Sequence, residues 1–160
     1  MAPAVFLDNT ILSNFAMLGC TDLIYSLWPD VACTTKSVLE EYEAGTDILD
    51  LPGEAWEGVI VHELSTEETT QLAMLPPQLG AGERSCLAAA ILQKAVFASD
   101  DRQARKHATQ AGLNVIGSIG ILVQCVKKDL IDKPTAQELL DKMIAANYYS
   151  PITNLDEIMD

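Results

Sequence analysis

Basic residues are nearly missing from the first half of this 160-residue chain: up to Glu83, Lys36 stands alone against fourteen acids. Other absences narrow the field. No apolar run approaches the ~20 residues of a membrane span, and MAPAVFLD lacks the basic and long apolar regions of a signal peptide, so a cytoplasmic protein without membrane contact is expected. Cys20, Cys33, Cys86 and Cys125 are far apart with no C-x-x-C pair, which argues for buried thiols over a zinc site or disulfide framework. The two histidines, His62 and His107, have no spaced metal-binding partner and read as structural or surface residues. The glycines of Gly117-Ser118-Ile119-Gly120 form neither a P-loop nor a dinucleotide fingerprint, and close helix packing explains them. There is no internal repeat.

A net charge of −13 would ordinarily exclude a phosphate-rich partner, because such binding rests on Lys and Arg. The distribution changes that conclusion. From residue 84 onward nine acids meet nine bases, so all the excess lies in the first half. Arg84, Lys94, Arg102, Arg105 and Lys106 fall in one central stretch, and Arg102, Arg105 and Lys106 have the i, i+3, i+4 spacing of one helical face. Length, 49% hydrophobic residues and 21% charged residues suit one folded unit with a real core.

That central stretch, Leu79 to Ala108, reads as helix, short buried strand and helix. Glu83, Leu87 and Ala90 share a face, which puts Glu83 at the edge of the buried side. Val96 to Ala98 is a strand that ends in Ser99-Asp100-Asp101, and ligands of parallel sheets bind at carboxyl ends of strands. The same pattern opens the chain: Ala4 to Leu7 is an apolar run ending in Asp8, followed by a helix for which Asp8 or Asn9 is also a suitable cap. Thr21 or Asp22 is the expected cap of a second helix. Val31 to Thr34 is a second strand, and Thr34 or Thr35 caps a helix to about Gly45, in which Val38, Glu41 and Tyr42 share a face while Glu40 and Glu43 point to solvent. A loop or short helical excursion from Asp47 to Gly58 precedes a third strand, Val59 to Val61, and then a helix opened by Ser65 and Glu68 as a capping box. Leu113 to Ile116 is the last strand. An apolar helix follows to near Asp129, then a helix from Thr135 to Asn147 and a loosely tethered acidic tail to Asp160. Short strands alternating with helices predict an α/β fold with a parallel sheet covered on both faces.

Asp8, Glu41, Glu83 and Asp100 or Asp101 thus come from four elements, each near a strand end or helix entrance. Carboxylates packed together in a partly buried place repel one another, and a cation must offset them. An all-oxygen set points to Mg²⁺ or Mn²⁺. Such ions activate water and neutralise a leaving oxygen, which makes phosphodiester hydrolysis the fitting chemistry.

The residues VFLDNTILSNF, SVLEEYEAG, LGAGERSCLAAA, ASDDRQARKHA and GLNVIGSIGILVQCVKK, in this order, resemble the PIN-domain nucleases, particularly a prokaryotic branch with a G-x-G-E motif. The resemblance runs from about Val5 to Ile131, giving a PIN-like domain over 1–131, with a helix and acidic tail over 132–160 packed on it. It implies a three-layer α/β/α fold, Mg²⁺- or Mn²⁺-dependent ribonuclease activity, and often a toxin of a type II toxin–antitoxin pair, with an antitoxin partner and a homodimer, for which the helix Ile119 to Val126 is a candidate face, though core packing explains that helix equally well. By motif, the catalytic acids are Asp8, Glu41, Glu83 and Asp101; Asp8, Glu83 and Asp101 are metal ligands, with Asp100 an alternative or helper; and Thr10 supports the metal shell. From their place beside the site, Arg84, Arg102, Arg105 and Lys106 are the candidate RNA contacts, with a solvated helical face as the competing reading of these bases. Two other readings compete: a silent domain that binds a partner through its acidic half, and a haloacid-dehalogenase-like phosphatase, which VFLDNT resembles except that Thr10 replaces its second acid.

Overall fold

The computed structural model describes residues 2–159; Met1 and Asp160, the outer ends of the two expected segments, lie outside them. Five parallel strands, β1 (Val5–Leu7), β2 (Ala32–Thr35), β3 (Ile60–His62), β4 (Val96–Ala98) and β5 (Val115–Ile116), form one sheet in the order β3-β2-β1-β4-β5. Val5 pairs with Ala32 on one side and Val96 on the other. The chain therefore winds outward from β1 to β3, returns, and winds outward again from β4. The reversal falls between β1 and β4, and the crevice outside such a switch point is where α/β sheets bind ligands.

Eight α-helices join and cover the strands: α1 (Asn9–Met17), α2 (Thr21–Leu27), α3 (Lys36–Leu49), α4 (Thr66–Met74), α5 (Ala81–Gln93), α6 (Arg102–Gln110), α7 (Ser118–Lys127) and α8 (Lys133–Ala145). Helix α5 lies across β1, β2 and β4 with α3, α4 and α6 beside it, while α7 packs with α2 and α8. Seven residues of α5 are buried, so it is apolar nearly all round, as a helix enclosed on several sides must be. The core joins Phe6, Leu7, Phe15, Leu87, Phe97 and Leu122, all without solvent contact. Each such side chain contributes roughly 1.5–3 kcal/mol on burial. No helix among the described residues is long and apolar enough to cross a membrane.

Several local expectations change. Helix α3 passes through Gly45 to Leu49 and stops only where Asp50 turns left-handed at φ 53°, its N–H closing on the Thr46 carbonyl. Helix α2 has no side-chain cap; Cys20 occupies that place and Thr21 is already helical. His62 is inside β3, and its Nε2 pairs with Glu68 Oε1 at 2.8 Å. Strand β5 is only two residues long. Helix α8 starts at Lys133, because Asp132 accepts from the Thr135 N–H, and it ends at Ala145. The tail is not loosely tethered. Leu155 is fully buried, its N–H donates to Gln137 Oε1 of α8 at 2.8 Å, and Leu155–Glu157 forms a 3₁₀ turn. In α7, Ile121, Leu122 and Cys125 are buried within this chain, while Ile119 and Val126 are half-buried.

Candidate active site

Strand β1 delivers Asp8 to the switch point. Its extended backbone, φ −81° and ψ 164°, makes it the cap of α1, and Oδ1 accepts the Asn9 N–H at 2.6 Å. Capping and site placement are here the same geometry. Across the crevice, Ser99 at the end of β4 is fully buried; its hydroxyl donates to Asp8 Oδ2 at 2.6 Å and accepts the Asp101 N–H at 3.0 Å. One serine thus ties the first acid to the loop that carries another. Asp101 caps α6, its Oδ1 accepting the Ala104 N–H at 2.8 Å.

Glu41 and Glu83 meet at the N-terminus of α5. Val38 and Tyr42 are buried in the core, as their shared face with Glu41 requires, and this brings Glu41 Oε1 to the Gly82 N–H at 2.8 Å. Gly82 leaves room for that carboxylate: a Cβ there would stand 2.7 Å from the Glu41 carboxyl carbon and displace it. Glu83 Oε1 accepts the Gly80 N–H at 3.3 Å, a capping-box return. Two carboxylates at one helix entrance use its free amides and its positive end.

Burial raises the Asp8 carboxyl to about 6, overcoming the hydrogen bonds from Ser99 and Asn9, with the charges of Glu41 and Asp101 pushing the same way. Burial raises Glu83 further, to about 7, reinforced by the charges of Asp8 and Asp101 and by a proton that Glu83 can donate to Asp101. Ionised, Glu83 has no donor for its Oε2, which is buried without a hydrogen-bond partner. No ion pair among the described residues neutralises any of the four acids. Among those residues, too, no three acids, imidazoles or thiols already stand as a cation cage. The donor chemistry nevertheless fits a hard divalent cation: only oxygens, two carboxyls held above their usual range by burial and by neighbouring acids, and one orphaned oxygen.

Asp100 turns elsewhere. Its Oδ1 accepts from the Ser118 N–H at 2.8 Å and the Tyr148 hydroxyl at 3.2 Å, and its Oδ2 from Asn14 Nδ2 at 2.9 Å and the Ser118 hydroxyl. With four donors satisfied it is a clamp between α1, α7 and the segment after α8. Thr10 Oγ1 accepts the Asp100 N–H at 2.9 Å, so Thr10 steadies the loop of Asp100 and Asp101. Of the bases, Arg105 Nη1 donates to the Ser99 carbonyl at 2.9 Å, Arg102 and Lys106 are exposed, and Arg84 is half-buried with its Nε unpartnered. Sequence reasoning missed the bridging role of Ser99, the carboxylate clamp of Asn14, Ser118 and Tyr148, and the cradle at Gly82; only the G-x-G-E spacing hinted at the last.

A family model described as a PIN domain matches residues 4–160, nearly the entire chain and well beyond Ile131. No curated protein and no solved structure matches.

Proposed function

Since this chain belongs to the PIN-domain family, a family of nuclease folds, we propose that it is a divalent-cation-dependent ribonuclease whose centre is Asp8, Glu41, Glu83 and Asp101. One observation supports the reading: Asp8 is pushed to about 6 by burial and by the charges of Glu41 and Asp101, and Glu83 to about 7 by burial and by the charges of Asp8 and Asp101, so acids from four separate elements act on one another. Asp8, Glu83 and Asp101 would hold Mg²⁺ or Mn²⁺; when bound, the ion supplies an activated water and offsets charge on the leaving oxygen. Glu41, fixed by the Gly82 amide, completes the acidic wall and orients the attacking water. Ser99 keeps Asp8 and the Asp101 loop in register, and Thr10 and the Asp100 clamp set the height of that loop. Arg102, Arg105 and Lys106 on α6, with Arg84 on α5, meet the RNA phosphates.

The test compares cleavage of a structured RNA pool by wild type, Asp8→Asn and Glu83→Gln, each with Mg²⁺, with Mn²⁺ and with EDTA. Wild type with either ion is expected to cut, and both variants and the EDTA samples to lose at least a hundredfold in rate. Equal cutting by all three proteins would mark a contaminant and end the reading.

The surplus charge favours an inhibitory partner as well. With all the excess negative charge up to Glu83, a basic antitoxin segment is the chemistry this half attracts. Such a partner makes the chain the toxin of a type II pair, and co-purification with a small basic protein encoded beside it is the expected sign.

A further inference from the structure

A cavity of about 780 Å³ lies on the side to which Asp100, the residue before Asp101, turns, and Asp100 lines it. The volume lies within the ~300–1,000 Å³ of small-molecule sites. Its walls are apolar, from Val115 and Ile116 of β5, Ile119 of α7, and Ile152 and Ile158 of the tail. Arg102 and Arg105 of α6 line it too, as do Tyr148 and Tyr149.

This hollow is a built one. Tyr148 is tied to Asp100 and Arg105 to the Ser99 carbonyl. Gly117 lets them approach, since a Cβ there would stand 2.7 Å from Arg105 Nη1 and 2.8 Å from Asp100 Oδ1. Two groups remain unspent at the rim: the Tyr149 ring, 86% exposed, and the exposed Arg102 guanidinium, which makes no ion pair among the described residues. An apolar guest leaves the Arg102 guanidinium unused, and a bare anion leaves the isoleucines unused. A basic peptide is repelled by both arginines. A flat apolar ring carrying a phosphate uses everything present, because bases stack on aromatic faces and arginine binds phosphate.

We propose that this cavity is a nucleotide subsite, which takes a base between the Tyr149 ring and the isoleucine wall while Arg102 holds its phosphate. Its place beside a cut strand rests on the ribonuclease reading; its ligand chemistry does not. The nucleotide comes either from the RNA strand, which makes the subsite a specificity pocket next to the scissile bond, or from the free pool.

The experiment is calorimetric titration of the full chain in EDTA with adenosine and uridine 5′-monophosphates and with inorganic phosphate, followed by cleavage of short single-stranded RNAs that vary one base at a time. At least one monophosphate is expected to bind saturably and more tightly than phosphate. Tyr149→Ala and Arg102→Ala should each weaken it about tenfold, the size of one stacked base, while Tyr149→Phe retains it and Asp8→Asn leaves it unchanged. If the strand is the source, wild type shows a base preference beside the cut that Tyr149→Ala flattens; if the preference survives while monophosphate binding falls, the ligand is the free nucleotide. Absence of monophosphate binding, or equal binding by Tyr149→Ala, overturns the subsite even where RNA is cut. Monophosphate binding without any cleavage leaves the subsite standing and removes the ribonuclease.

Discussion

Asp8 and Glu83 carry the clearest residue-scale consequence. Their carboxyls rise from 3.8 to about 6 and from 4.5 to about 7 on folding, so between roughly pH 4 and 7 the folded chain binds more protons than the unfolded one. Stability must then fall as pH rises through that window. Thermal melts in EDTA should show a lower Tm at pH 8 than at pH 5; Asp8→Asn or Glu83→Gln should flatten the slope, and Mg²⁺ at pH 8 should restore the lost degrees. A Tm that climbs with pH would mean the two acids are compensated by some group other than a cation. Glu41→Gln and Asp101→Asn should abolish cleavage with little change in Tm. A glutamine still accepts the Gly82 N–H and an asparagine still caps α6, whereas Asp101→Ala should cost about 1 kcal/mol by losing the cap. Denaturant titration separates the Asn and Ala variants.

At the scale of elements, α5 is a helix whose first turn is reserved for the site. Gly82→Ala should improve helix propensity by roughly 0.5–1 kcal/mol. Yet the new Cβ would collide with the Glu41 carboxylate, so cleavage should drop at least tenfold while circular dichroism keeps its helical signal. The tail makes a second case. Leu155 is buried without remainder, and Leu155→Ala should cost roughly 2–5 kcal/mol by chemical denaturation, a large share of the ~5–15 kcal/mol typical of a domain. The sequence showed elements whose signals are local: Val5 to Leu7 and Val96 to Ala98 are unbroken apolar runs, and Thr35 and Ser65 are caps with partners three residues on. It did not show what distant contacts decide. Nothing near Leu155 announces Gln137, and nothing near Asp100 announces Asn14 or Ser118, which turn that acid away and leave Asp101 beside Glu83. The end of α3 was misplaced for a different reason: Gly45 resembles a stop, but Asp50 adopts the left-handed turn.

On the scale of the molecule, fold class was legible, and Asp8, Glu41, Glu83 and Asp101 could be expected at one edge, because a parallel sheet places all strand ends on one side, however far apart its strands are in sequence. The same sheet order has a practical result. Strand β1 is flanked by β2 from its own half and by β4 from the other, with Val5 in register with Ala32 on one side and Val96 on the other. A chain severed between Pro77 and Gln78 would leave Asp8 and Glu41 on one fragment and Glu83 and Asp101 on its complement. Neither piece alone should cut RNA, and mixing them should bring cleavage back as β4 docks against β1, turning the nuclease into a two-part reporter of its own reassembly.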